Sequence, residues 1–150
     1  MKTSIINKLF AMAALCLVTS TVSFAANPPL PAEQLPAKAK AFVQDNFEHN
    51  SIVAVESINN AYMCVLDDGT IIDFNKKGTW SNVDCKDNSI PLNFVPRSLL
   101  QYVYGNYPYC TINKVNKQNH GYAVRLQTEE GKTCLINVRF LPLLKYSKEI

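Results

Sequence analysis

Four cysteines, Cys64, Cys85, Cys110 and Cys134, are the side chains of this chain best suited to covalent or metal chemistry. Thiols at such positions serve as disulfides, as metal ligands or as a redox pair. The last two need close-spaced ligands or a C-x-x-C step, and no such spacing occurs here. The other titratable residues form no convergent set. His49 and His120 fall in predicted turns, where imidazoles are usually solvated. Asp67 and Asp68 are adjacent carboxylates at a hairpin tip and lack the ligand spacing of a calcium loop. Glu129-Glu130 and Lys76-Lys77 read as turn and tip. No glycine-rich loop cradles a phosphate and no nucleophile–base pairing stands out. The residues therefore predict a protein that is not an enzyme and carries no cofactor or metal.

The cysteines acquire a role once the compartment is read. Lys2 and Lys8 precede an uncharged apolar run from Leu9 to Val22, followed by Ser23-Phe24-Ala25. This pattern predicts a secretory signal peptide over 1–25. The run is short for a membrane span, which needs ~20 apolar residues; an uncleaved anchor is the competing reading. Cys16 follows Leu15 and not the small residue of a lipoprotein anchor. An even count of cysteines in an exported chain predicts two disulfides. Pairing Cys64 with Cys85 and Cys110 with Cys134 is favoured, with Cys85–Cys110 as the alternative. Each favoured loop of about 20–25 residues would contribute ~3 kcal/mol in the chain-entropy model. Removing Lys2 and Lys8 leaves 13 basic residues against 12 acidic ones, a net charge of +1. So balanced a surface argues against nucleic acid as a partner, and against membrane insertion or adsorption after cleavage.

Aromatic residues are the other candidates for function. Tyr62, Trp80 and Tyr122 fall on predicted strands and join large contact area to a polar handle, the combination enriched in binding hot spots. They are the expected partner anchors, with Asp68 and Lys77 on the rim. The competing reading packs Tyr62 and Tyr122 under helices, because strand parity alone does not say which face is buried.

The elements that must position these residues recur. Shifting the chain by 60 positions places Pro36 on Pro96, Val43 on Val103, Val55 on Val115, Tyr62 on Tyr122 and Leu66 on Leu126. A repeat of this length is one supersecondary unit used twice. Ala39, Phe42, Val43 and Phe47 lie on one helical face, and Leu99, Tyr102, Val103 and Tyr107 repeat it. Strands are predicted over 51–58, 62–66, 70–74 and 79–83, then over 111–117, 122–128 and 132–138. Asn59-Asn60, Asp68-Gly69 and Asn75–Gly78 supply turns. Pro142 should cut the last strand, over 139–144, short. The predicted fold is α+β: two tandem helix-plus-four-strand repeats, 35–85 and 95–144, forming one antiparallel sheet with the helices on one face. They make a single domain over 35–150 behind an extended lead-in, 26–34.

Tyr62, Val65-Leu66, Asp68-Gly69, Ile72, Phe74-Asn75, Gly78 and Trp80, with the leading Leu35-Pro36 and Val95-Pro96, resemble the PepSY-like family of small exported bacterial proteins. The resemblance covers nearly all of the mature chain and extends to the beta-lactamase-inhibitor-protein fold, with two helix-plus-four-strand units and a concave sheet. It implies a periplasmic or secreted location and no cofactor. The expected function is a non-catalytic binding protein, with inhibition of a protein or peptidase suggested by fold analogy. Its partner would be a protein or peptide of the cell envelope, met by the helix-free sheet face. The alternative is a small-ligand carrier or envelope sensor with a pocket between helices and sheet.

Overall fold

A computed structural model of the protein describes residues 30–140. The expected signal peptide, 1–25, and the end of the expected last strand lie outside the described residues. A 3-10 turn, Ala32–Gln34, leads into α1, Ala37–Asn46; a second helix, α2, spans Arg97–Asn106. Seven strands make one antiparallel sheet in chain order: β1 (Ile52–Ile58), β2 (Ala61–Leu66), β3 (Ile71–Phe74), β4 (Trp80–Asp84), β5 (Cys110–Gln118), β6 (Gly121–Thr128) and β7 (Thr133–Arg139).

The two helices begin and end alike. Pro36 and Pro96 hold φ of −53° and −56° just before the first turn, and their carbonyls accept the first helical N–H groups, from Ala39 and Leu99. Proline fits there because it lacks only an N–H that a helix start leaves without an intrahelical partner. At the far ends Asn46 and Asn106 each donate Nδ2 to the carbonyl four residues back, Phe42 and Tyr102, at 2.7 Å. The first strand of each half carries a register shift at a matching place, Ile52/Ala54 in β1 and Ile112/Lys114 in β5.

Both helices pack on the same face. Ala39, Val43, Leu99 and Val103 join one buried cluster with strand residues of one sheet face, whose parity changes at the irregularities in β4 and β5. A registered row of that cluster crosses the whole sheet: Val55, Cys64, Ile72, Val83, Val115, Val124 and Ile136. Alternation of side chains along each strand puts the intervening residues on the opposite, helix-free face.

The expected four strands of the second half are three among the described residues. In the first half Asn75–Gly78 turns the chain, with Asn75 Oδ1 accepting from the N–H groups of Lys77 and Thr79. The corresponding stretch of the second half, Leu135 to Phe140, has no turn glycine, and β7 runs straight through it to Arg139.

Candidate functional site

The helix-free face is ordered by the sheet register. One row reads Ala54, Val65, Ile71, Asp84, Lys114, Arg125 and Leu135; its neighbour reads Glu56, Met63, Asp73, Asn82, Asn116, Ala123 and Asn137. The β1–β3 end is apolar with two carboxylates, and the centre is polar and ionic.

Asp84 anchors that centre. Its side chain is 8% exposed and contacts Arg125 Nη2 at 2.7 Å and Lys114 Nζ at 3.0 Å, with Lys86 Nζ at 4.0 Å. Asp84 Oδ1 also accepts the Lys86 N–H at 3.0 Å. Lys86 holds a left-handed φ of 56°, rare for a non-glycine residue, and its carbonyl accepts a further bond from Arg125. Arg125 Nε donates to Asn113 Oδ1 at 2.9 Å, and Asn113 Nδ2 to Gln127 Oε1 at 3.2 Å. Asn82 links outward, donating to Asp73 Oδ2 at 3.0 Å and accepting from Asn116 at 3.5 Å. Burial alone would raise the Asp84 pKa. The bonds from Lys114, the Lys86 N–H and Arg125, with the charge of Lys114, outweigh it and bring the group down to about 2. The network fixes the rotamers of its cations without supplying a nucleophile or a poised base.

The five expected partner residues do not form one site. Tyr62, Trp80 and Tyr122 lie on β2, β4 and β6, all on the helix-covered side of the sheet. Trp80 is 9% exposed and packs against Phe42 and Phe94 at centroid distances of 6.2 and 5.2 Å. Trp80 is therefore a core residue, correcting the expectation of an exposed anchor on the helix-free face. The cause is register: Trp80 pairs with buried Phe74 across a β3–β4 irregularity, so it takes the face of Phe74. Tyr62 and Tyr122 share the parity of buried Cys64 and Val124 and pack half-buried on the core. Lys117 Nζ lies 3.6 Å from the Trp80 ring centroid and donates to the Trp80 carbonyl at 3.0 Å. Burial, and secondarily the charge of Lys38, lowers the Lys117 pKa. Asp68 closes the β2–β3 hairpin by accepting the Thr70 N–H at 2.9 Å. Lys77 sits in the β3–β4 turn at the other end of β3.

The expected disulfides are corrected as well. Cys64, Cys85, Cys110 and Cys134 are free thiols. Cys64 lies on β2 and Cys85 just past β4, with β3 between; Cys110 and Cys134 lie on β5 and β7, with β6 between. Two strand spacings are ~9.5 Å, beyond the ~7 Å Cα separation a disulfide spans. Burial pushes the Cys64 thiol up to about 11.

Among the described residues no group of three or more His, Cys, Asp or Glu could hold a metal ion. A groove of about 520 Å³ runs along the flank of α1, lined by residues including Ala32, Lys40, Val43, Phe47 and Ile52. It opens at the edge between α1 and β1, where the core residues Val43 and Phe47 meet Ile52. No helix among the described residues is long and apolar enough to cross a membrane.

The residues that sequence reasoning missed are Asp84, Lys114, Arg125 and Asn113. For all but Asn113, which sits at the β5 register shift, the signal was alternation: Asn82-Val83-Asp84, Lys114-Val115-Asn116 and Val124-Arg125-Leu126 place polar residues on one parity and apolar ones on the other.

Solved structures share this architecture. One, a "putative calcium-regulated periplasmic protein" from Bacteroides thetaiotaomicron, is 27% identical; the match covers 73% of this chain and 88% of that one, with a TM-score of 0.62. A "putative periplasmic protein" from Bacteroides vulgatus is 26% identical over 73% of this chain and 95% of its own, with a TM-score of 0.60. Another from Bacteroides vulgatus, described as of unknown function, is 27% identical over 75% and 93%, also at 0.60. No curated protein matches the chain. With these periplasmic neighbours, the protein is periplasmic or secreted. The family model described as "Putative beta-lactamase-inhibitor-like, PepSY-like" matches residues 23–67 and 60–132, and the chain belongs to the PepSY-like family.

Proposed function

We propose that this is a non-catalytic binding protein that presents its helix-free sheet face to a protein or peptide of the cell envelope. The observation that carries the proposal is the face itself. Seven registered strands leave a broad surface with no helix over it among the described residues, and its central charges are already held in place by one another. Fixed side chains lose little entropy on binding, which favours recognition. Over β3 and β4 the space beneath α1 is filled by contacts such as Phe42 on Phe74 and Phe94 on Trp80, which leaves the carrier reading only the groove at the α1–β1 edge. The narrower reading, an inhibitor of a protein or peptidase, rests on the family description. We read residues 35–150 as one domain and its halves as one unit used twice, supported by the matching helix starts and bulges.

The test compares capture of envelope proteins by the wild type, by Val65→Asp on the helix-free face, and by Tyr104→Asp on the exposed side of α2. The first substitution should abolish capture and the second should leave it intact. Capture that survives Val65→Asp, or hydrolytic turnover that tracks the purified protein, would overturn the proposal.

A further inference from the structure

The charges of the helix-free face are unevenly divided. Glu56 and Asp73 lie on β1 and β3. Lys114, Arg125 and Arg139 lie on β5, β6 and β7, and Lys86 just follows β4. At the centre a single carboxylate, Asp84, meets three cations, Arg125, Lys114 and Lys86. One negative charge among three positive ones leaves a local excess of positive charge on a protein whose mature chain is otherwise nearly balanced. The cations are recessed yet reachable: side-chain exposure is 27% for Arg125, 32% for Lys114 and 48% for Lys86. Arg125 spends Nε on Asn113 and one Nη on Asp84 and the Lys86 carbonyl, so its guanidinium plane is fixed. The same row carries apolar side chains on both flanks, Ile71 and Val65 on one and Leu135, 66% exposed, on the other.

We infer that the Lys86–Lys114–Arg125 cluster is the receptor for a carboxylate of an extended acidic segment of a protein partner, seated across β4 to β6 with apolar residues on either side of the acidic one. This rests on the helix-free face being the binding face. The remaining Nη of a fixed guanidinium beside an ammonium offers a carboxylate opposite charge and single charge-assisted N–H donors. Asp84 acts as an internal counter-ion that positions these groups. An anionic lipid surface fits less well, because bilayer attraction favours protruding basic clusters and these cations sit within a sheet face between apolar neighbours.

The probe is a blocked decapeptide of glutamate, titrated into isotopically labelled mature protein at ~50 mM salt, with a lysine decapeptide and anionic phospholipid vesicles in parallel. Saturable shifts confined to amides of β4–β6, weakened about five- to tenfold by Lys114→Gln and relaxed by added salt, are the expected result. Lys114→Gln is preferred because it removes one contact to Asp84 and leaves Arg125 on that carboxylate, whereas Arg125→Gln would disrupt the bonds to Asp84, Asn113 and the Lys86 carbonyl together. Absence of saturable shifts, an equal response to the lysine peptide, or binding only to vesicles would overturn the inference. So would capture of an envelope partner that Val65→Asp abolishes and Lys114→Gln leaves unchanged; that result would retain the binding face and reject the acidic occupant. Capture insensitive to both would reject the face as well.

Discussion

Asp84 is the residue on which the helix-free face depends. Removing one member of a buried ion cluster leaves the others without compensation, which costs more than the cluster contributes in net terms. The acid limb of stability isolates its part. The unfolded carboxyl titrates near its ordinary 3.8 and the folded one near 2. Because the folded value is the lower, the contribution is fully present above the unfolded pKa and disappears as pH falls through the folded one. It amounts to about 2 kcal/mol. Urea unfolding at several pH values should therefore show Asp84→Asn less stable than wild type by about 2–3 kcal/mol at pH ~6, with the gap closing by about 2 kcal/mol as the pH approaches ~2. A gap that stays constant over this range would remove Asp84 from the role of charged anchor. Asp67, whose carboxyl is held low chiefly by the bond from Asn50, is present in both proteins and cancels in the comparison.

At the scale of elements, the β3–β4 turn shows what the Gly-x-Trp pattern does. Gly78 has φ of +75°, and a Cβ there would meet the Ala39 amide nitrogen and the Pro36 Cβ at 3.0 Å. The turn thus lies directly against the start of α1, and Trp80, two residues on, packs beneath the same helix. Gly69 has φ of +84° but open space around it. Gly78→Ala should cost about 2–3 kcal/mol, backbone strain plus steric conflict, whereas Gly69→Ala should cost about 1 kcal/mol, strain alone. Equal losses in denaturant midpoints would show that the helix does not rest on the turn. The helices and the places of seven of the eight expected strands were legible in the sequence because proline starts, turn residues and apolar periodicity are local signals. The side of the sheet taken by Trp80 was not legible. It is set by the irregularity between Asp73 and Phe74, which shifts parity across two strands and leaves no mark in either alone. The cysteine pairing failed for a related reason. Spacing of about 20 residues suits a disulfide loop, but a meander with strands of this length puts such partners two strands apart. The ionic centre was missed because it joins residues from three strands, each unremarkable in its own segment.

The halves of the molecule share one interior. The buried row from Val55 to Ile136 crosses the junction at Val83 and Val115, where β4 and β5 are held by three registered pairs. Above it, Phe94 from the connecting segment packs on Phe42 at 5.1 Å and on Trp80 at 5.2 Å, completing the aromatic cluster of the first half. Neither half then closes its core alone, and the helix-free face, whose ionic centre takes Asp84 from β4, Lys114 from β5 and Arg125 from β6, exists only when the junction is formed. Two probes can ask whether the halves unfold together. Trp80 is the only tryptophan and reports the first half; amide signals of Val124 and Leu126 report the second. Val115→Ala should cost about 2 kcal/mol, from lost methyl burial and the space left behind. It should lower the denaturation midpoint of both probes by the same amount. If the amide signals shifted while Trp80 emission did not, β1–β4 would be an autonomous unit, and the continuity of the helix-free face would be an accident of two folded pieces lying side by side.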